Sequence, residues 1–191
     1  MKRIVVAVTG TPATGKSSFA KELAGSVKGA KLIEINDVVN RYKLYSGKDR
    51  FGSKIVNLGK LSKKIRELAK GESNFVVIVG HLAQELSVRY DIAVVMRADL
   101  STVARREEDR GYQKDKIKEN LIAEALDYCG SKMAERCKDT YEVEKDRERK
   151  RVKRYIINVA TGIPSKKPKK KAINKFPQMF RMIRQGNRYG F

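Results

Sequence analysis

Gly10-Thr11-Pro12-Ala13-Thr14-Gly15-Lys16-Ser17 sets two glycines, a lysine and a hydroxyl at the G-x-x-x-x-G-K-[ST] spacing. That combination suits a chain of phosphates. Glycines let successive backbone amides turn inward, a helix starting near Lys16 adds its dipole, and the lysine ammonium bridges the β and γ phosphates. The hydroxyl of Ser17 is the group that would ligate magnesium. A nucleoside triphosphate with Mg2+ is therefore the expected ligand pair. His81, the only histidine, follows an apolar run, where its side chain would emerge at the edge of a sheet, suited to orienting water or moving a proton. Arg110, followed by Gly111 and Tyr112, falls in a break between helices, where a guanidinium can neutralise a migrating phosphoryl group.

The elements that must hold these groups alternate. Ile4 to Val8, Lys31 to Ile35, Phe75 to Val79 and Ile92 to Met96 are short, buried-looking runs, and Thr140 to Val143 is read as a further short strand. Continuous apolar runs of that length fit strands buried on both faces of a parallel sheet. Between them lie helical patterns at Ser17 to Leu23, Asn36 to Tyr45 with Asn36 or Asp37 as cap, and Leu58 to Ala69. Ser101 is read as the cap of a helix to Glu108, Asp115 as the cap of one that carries Ile117, Leu121, Leu126 and Tyr128, and Asp146 as the cap of a basic helix that stops at Gly162. The expected fold is α/β, a five-stranded parallel sheet flanked by helices.

The 191 residues carry 43 Lys plus Arg against 22 Asp plus Glu, a net charge of +21. From Lys145 onward 16 residues are basic and 2 acidic, so the excess sits at the C-terminal end. Charge of that sign and density selects polyanions, nucleic acid foremost. No apolar run is long enough to span a membrane, the N-terminal apolar stretch is too short for a signal peptide, and Cys129 and Cys137 form neither a disulfide framework nor a zinc pattern. A cytoplasmic protein is expected, or a nuclear one in a host with a nucleus.

A phosphate loop serves kinases, GTPases and motors alike. No N-K-x-D-like guanine-reading element is present, and the short chain with a small Arg-Gly-Tyr segment is similar to nucleoside monophosphate kinases. In that arrangement residues 33–57 form the acceptor region, with Asn36 and Asp37 at its start, and 109–118 form the lid. More specifically, Gly10-Thr11-Pro12, Ile35-Asn36-Asp37, Gly80-His81-Leu82, Arg97-Ala98-Asp99, Arg110-Gly111-Tyr112, Lys116-Ile117, Glu119-Asn120 and Ala123-Glu124 resemble the adenylate kinase 6 family over residues 4–145. The resemblance implies phosphoryl transfer from ATP to AMP, slower ATP hydrolysis, a place in small-subunit ribosome assembly and rRNA processing, and a ribosomal protein of the uS11 class as partner. It assigns Ala13, Gly15, Lys16, Ser17 and Ser18 to the triphosphate cradle and Arg110 to the ATP-contacting lid position.

Three departures from that family stand out. Val79 replaces an acidic residue two before the histidine, leaving Glu34, Asp37 and Glu85 as candidate substitutes near magnesium; Asn57 replaces an expected aspartate; Ala13 replaces a glycine. They imply slow turnover, with a nucleotide-gated RNA- and ribosomal-protein-binding assembly factor as the alternative. Residues 1–163 are read as the kinase domain and 164–191 as a basic tail. The Lys166 to Lys171 run is a tether too charged to pack, Phe176, Met179, Phe180 and Ile183 form a short amphipathic helix, and Phe176, Phe180, Tyr189 and Phe191 are rings that could stack on ribosomal RNA.

Overall fold

The computed structural model describes residues 3–184 together with Gly186 and Tyr189. Strand β1 (Ile4–Thr9) is the centre of a five-stranded sheet ordered β2-β5-β1-β6-β7, with β2 (Lys31–Glu34), β5 (Phe75–Val79), β6 (Ile92–Met96) and β7 (Thr140–Val143). Every pairing is parallel, as the unalternating apolar runs require: Phe75–Val79 and Ile92–Met96 are buried at every position. Chain order reverses at β1, whose neighbours are β5 on one side and β6 on the other. The crevice at its carboxyl end is therefore the topological switch point, where ligands of such sheets sit.

Helix α1 (Lys16–Gly25) and α7 (Asp146–Thr161) cover one face, burying Phe19, Leu23, Val152, Tyr155 and Ile156 against Val8, Val79 and Tyr141. The other face is covered by α2 (Ile35–Arg41), α3 (Leu58–Ala69) and α6 (Tyr128–Arg136). Between α2 and α3 stands an antiparallel hairpin, β3 (Tyr45–Lys48) and β4 (Lys54–Val56), closed by Asp49, whose carboxylate accepts from the backbone N–H of Phe51 and Ser53 at 2.9 Å. It replaces the C-terminal end of the helix expected to reach Tyr45, because Lys43 turns left-handed at φ 49°.

A third cluster is built by α4 (Leu100–Glu108), α5 (Lys114–Ala125) and the C-terminal α8 (Phe176–Arg184), with Ala13 of the phosphate loop and Tyr189 joining it. Asp127, at φ 54°, breaks the expected continuation of α5 through Tyr128 and starts α6 instead. The caps also differ. Glu34, not Asn36 or Asp37, precedes α2; Asp99, not Ser101, precedes α4; Gln113 precedes α5, with Asp115 in its first turn; and Lys145 precedes α7, with Asp146 its first residue. Asn57 caps α3, its side-chain oxygen accepting from Lys60 N at 3.0 Å.

The tail does more than tether. Pro168 is buried in the strap between α7 and α8, and Lys167 pairs with Asp139 at 2.6 Å. Lys175 is 1% exposed between Glu144 and Asp99. Acids from distant parts of the chain thus neutralise selected tail lysines, which local charge density does not reveal. Tyr189 is buried on the third cluster, whereas Phe176 and Phe180 are exposed; Phe191 lies outside the described residues. Among the described residues no helix is long and apolar enough to cross a membrane.

Candidate active site

The loop from Gly10 to Gly15 leaves the end of β1 and enters α1, with backbone constraints that explain its glycines. Gly10 has φ 131°, and a Cβ there would stand 2.2 Å from the carbonyl oxygen of Met96 on β6. Gly15, the residue before α1, has φ 93° and open space where a Cβ would point. The first turn of α1 carries no acid, so its amides and dipole face that open side unopposed.

Ala13 occupies the left-handed region at φ 65° without glycine's freedom. It is held there by burial in the α4–α5 cluster and by Arg106, whose Nη1 donates to the Ala13 carbonyl at 2.8 Å. Lys16, half-buried, donates from Nζ to the carbonyl of Thr11 at 2.7 Å. Burial lowers its pKa to about 8; Cys129 and Glu124 oppose that shift and Arg110 reinforces it. Ser17 and Ser18 are exposed. Ser18 receives a hydrogen bond from Arg149 of α7 at 3.2 Å, while the Ser17 hydroxyl has no partner among the described residues. Open space over Gly15, an ammonium, a free hydroxyl and a helix N-terminus together fit a magnesium-bound triphosphate.

Among the described residues no group of three or more metal-ligating side chains exists, so an ion here would depend on Ser17, the phosphates and water. Of the acids considered for the place of Val79, Glu85 is turned to Tyr128, whose hydroxyl donates to it at 2.8 Å. Asp37 is exposed on α2. Glu34 is the register partner of Val79 on the neighbouring strand and lies 3.6 Å from Lys21 of α1. In-register residues of parallel strands point to the same face, so Glu34 stands one strand over from the missing carboxylate and on the α1 side.

His81 follows β5 at the expected edge. Its loop is fixed by buried Gln84, which donates to the His81 carbonyl at 2.6 Å and accepts from Thr9. The imidazole is exposed at the mouth of the crevice, yet the surrounding walls, Lys16 and Lys116 hold its pKa well below the usual value. It is neutral at pH 7 and a weak base, suited to hydrogen bonding rather than to taking a proton.

Arg110 is exposed in the turn between α4 and α5; its backbone N–H donates to the Glu107 carbonyl at 3.2 Å, while its side chain makes no hydrogen bond or ion pair among the described residues. Its positive charge adds, behind burial, to the lowering of the Lys16 pKa. Asn36 and Asp37 are exposed on α2.

Several groups that hold the site together were assigned no role by sequence reasoning. Glu124 of α5, 2% exposed, accepts from the Thr11 hydroxyl and from Arg97 Nε at 2.7 Å, so one carboxylate ties α5 to the phosphate loop and to the end of β6. Arg97 itself is encircled by Glu124, Asp127 and Glu142. Glu107 of α4 is fully buried and accepts from Asn120 of α5 at 2.9 Å. Burial raises its pKa to about 7. The Glu119-Asn120 and Ala123-Glu124 pairs belonged to the recognisable pattern, which was the available signal, but their burial follows from how α4, α5 and the loop pack.

Residues 6–127 match the AAA domain family. The Methanocaldococcus jannaschii protein named "Putative adenylate kinase" is 32% identical over 170 residues, covering 88% of this chain and 91% of that one. A Methanococcus maripaludis protein of the same name is 29% identical over 185 residues, covering 94% and 99%. Among solved structures, a shikimate kinase from Bacteroides thetaiotaomicron aligns with TM-score 0.50 at 14% identity over 83% of this chain and 98% of that one, a likeness of fold.

Proposed function

The chain belongs to the AAA domain family and to the archaeal family of those adenylate-kinase-named relatives, and from that premise we propose that it transfers the γ-phosphoryl group of ATP to AMP, yielding two ADP, with slow ATP hydrolysis beside it. The observation that carries the proposal is the open space at Gly15, flanked in the chain by Lys16, the exposed Ser17 and the N-terminus of α1, whose first turn carries no acid.

In that reaction an oxygen of the AMP phosphate bonds to the γ-phosphorus as the bond from that phosphorus to the β-bridging oxygen breaks. Little covalent chemistry falls to the protein, so its work is positioning and charge neutralisation. Lys16 would leave the Thr11 carbonyl for the β and γ phosphates, Arg110 would close on the equatorial oxygens, and Gly10, Ala13, Gly15, Ser17 and Ser18 would frame the triphosphate. His81, neutral, would hydrogen-bond the entering phosphate or exclude a competing water, and Asn36 and Asp37 would begin the acceptor side. Ser17 and, through water, Glu34 would hold a bound Mg2+, which would neutralise the charge that develops on the phosphates.

Nucleotide separation after incubation with Mg2+ and ATP, with and without AMP, tests this. ADP should form faster with AMP and not at all in Lys16→Ala; AMP-independent hydrolysis alone would overturn phosphotransfer as the main activity.

Val79 favours a second reading, since the position two before His81 holds a valine that is 3% exposed and no carboxylate. Here nucleotide binding acts chiefly as a switch for a ribosome-assembly factor that contacts rRNA through its basic C-terminal region and a uS11-class protein. The net charge of +21 supports the RNA part; the named partners rest on resemblance to the adenylate kinase 6 family.

A further inference from the structure

Helix α7 has three faces. Val152, Tyr155 and Ile156 are buried on the sheet, and Arg149 and Lys153 reach Glu22 of α1. The remaining face presents Arg147, Lys150, Arg151 and Arg154, all exposed, at i, i+3, i+4 and i+7. Opposite it runs the strap after α7. Between helix and strap lies a groove of about 560 Å³ lined by those four residues, Tyr155, Ser165, Lys166, Lys167, Pro168 and Lys169. Seven cations line it and no acid does.

The strap could extend away from like charge into solvent, and electrostatics alone would favour that. Instead Pro168 is buried and Lys167 is pinned to Asp139, so the fold holds Lys166 and Lys169 opposite the α7 arginines. Lys150 pairs with exposed Asp146. Among the described residues Arg147, Arg151, Arg154, Lys166 and Lys169 have no acidic partner. A fold that assembles uncompensated cations around a groove is preorganised for a polyanion, whose phosphates would relieve the repulsion.

We propose that the groove between α7 and the strap binds the phosphodiester backbone of a nucleic acid strand. At 1.5 Å rise per residue, Arg147 to Arg154 spans about 10 Å, which matches about three phosphates at the roughly 3.4 Å per-strand spacing of a helical strand. The arginines can grip those oxygens bidentately. This deepens the RNA-contact part of the second reading and differs from it in place: the α7 face with the strap is the site, rather than aromatic stacking by the tail.

The test is fluorescence anisotropy with labelled single-stranded RNA and DNA of one sequence, using the full chain across a salt series. Five unpartnered cations on a single strand predict a slope of log K against log salt of about −3.5. Arg151→Glu with Lys166→Glu and Lys169→Glu should weaken binding at least tenfold and flatten the slope by about 2. Lys28→Glu with Lys60→Glu and Lys63→Glu, exposed residues away from the groove with the same charge change, should keep the steep slope and most of the affinity. Lys16→Ala should bind as the parent does, which separates this site from the nucleotide site. Equal affinity for RNA and DNA would assign backbone contacts alone, and preference for RNA would add 2′-hydroxyl contacts; both uphold the proposal. Equal loss in the two triple variants would show bulk charge rather than a groove, and displacement by polyglutamate as effective as by RNA would point to an acidic protein. Either result overturns it.

Discussion

The hydroxyl of Thr11 in the phosphate loop donates to the carboxylate of Glu124 on α5, a residue 113 positions away and 2% exposed. The same carboxylate accepts from Arg97 Nε, and Arg97 is itself 1% exposed at its side chain. The phosphate loop, the end of β6 and α5 therefore share one charge. Glu124→Ala leaves buried Arg97 short of a partner, a change that typically costs about 3–5 kcal/mol. At about 2–4 °C per kcal/mol for a chain this long, the thermal midpoint should fall by about 10 °C. Glu124→Gln keeps an acceptor and should fall less. Equal midpoints for the two variants, by circular dichroism, would remove the ion-pair account.

Glu34 and Val79 share a register position at the carboxyl edge of the sheet. A carboxylate that orients metal-bound water typically shifts metal affinity 10- to 100-fold when lost. Glu34→Gln should raise the Mg2+ concentration needed for half-maximal ATP binding by about tenfold, while Glu85→Gln, whose target only receives the Tyr128 hydroxyl, should leave it unchanged. A Mg2+ titration of nucleotide binding decides; the reverse pattern would move the role to Glu85. Val79→Asp would restore the usual acid and is expected to lower the requirement.

Lys16 has its pKa lowered to about 8, mainly by burial. Only the ammonium attracts phosphates, and a bound triphosphate raises the pKa, so binding takes up a proton wherever free Lys16 is neutral. ATP affinity should stay level below pH 8 and fall above it, by up to about tenfold per pH unit. Calorimetry from about pH 7.5 to 9.5 measures it. Lys16→Ala should bind weakly with no such slope, and a parent affinity that holds level to the top of that range would exclude the titration.

The sheet was legible because its strands are buried on both faces, so Phe75–Val79 and Ile92–Met96 read as unbroken apolar runs. The phosphate loop was legible because backbone geometry at Gly10 and Gly15 dictates residue type at fixed spacing. The hairpin was not, since Tyr45–Lys48 and Lys54–Val56 are short and partly exposed, and lack a distinctive apolar pattern. Nor were the buried acids: Glu107 and Glu124 sit among charged neighbours on α4 and α5, and a sequence pattern places such residues in water. Their burial comes from packing between elements. The burial of Lys175 is hidden for the same reason, as Glu144 and Asp99 are far from it in sequence.

Glu107 gives the sharpest test of that packing. It is fully buried, accepts from Asn120 Nδ2 at both carboxylate oxygens, at 2.9 and 3.1 Å, and has its pKa raised to about 7 by burial. In the unfolded chain it titrates near 4.5. Between those values the folded state holds a proton that the unfolded state has released, so this group's contribution to stability falls as pH rises through the window and levels off above about 7. Glu107→Gln imitates the protonated form and removes the penalty. At pH 8 it should be more stable than the parent by about 2–3 kcal/mol, about 5–10 °C in thermal midpoint, and near pH 4.5 the two should melt together. Other acids titrate in the same range, so the quantity that matters is the difference between parent and variant across pH. A difference that stays constant would mean that Glu107 is ionised in the fold, with Arg110 and Lys116 offsetting its burial. A gap that opens with pH would establish that Glu107 stays protonated up to near neutrality and so does not compete with phosphates for Arg110 and Lys16.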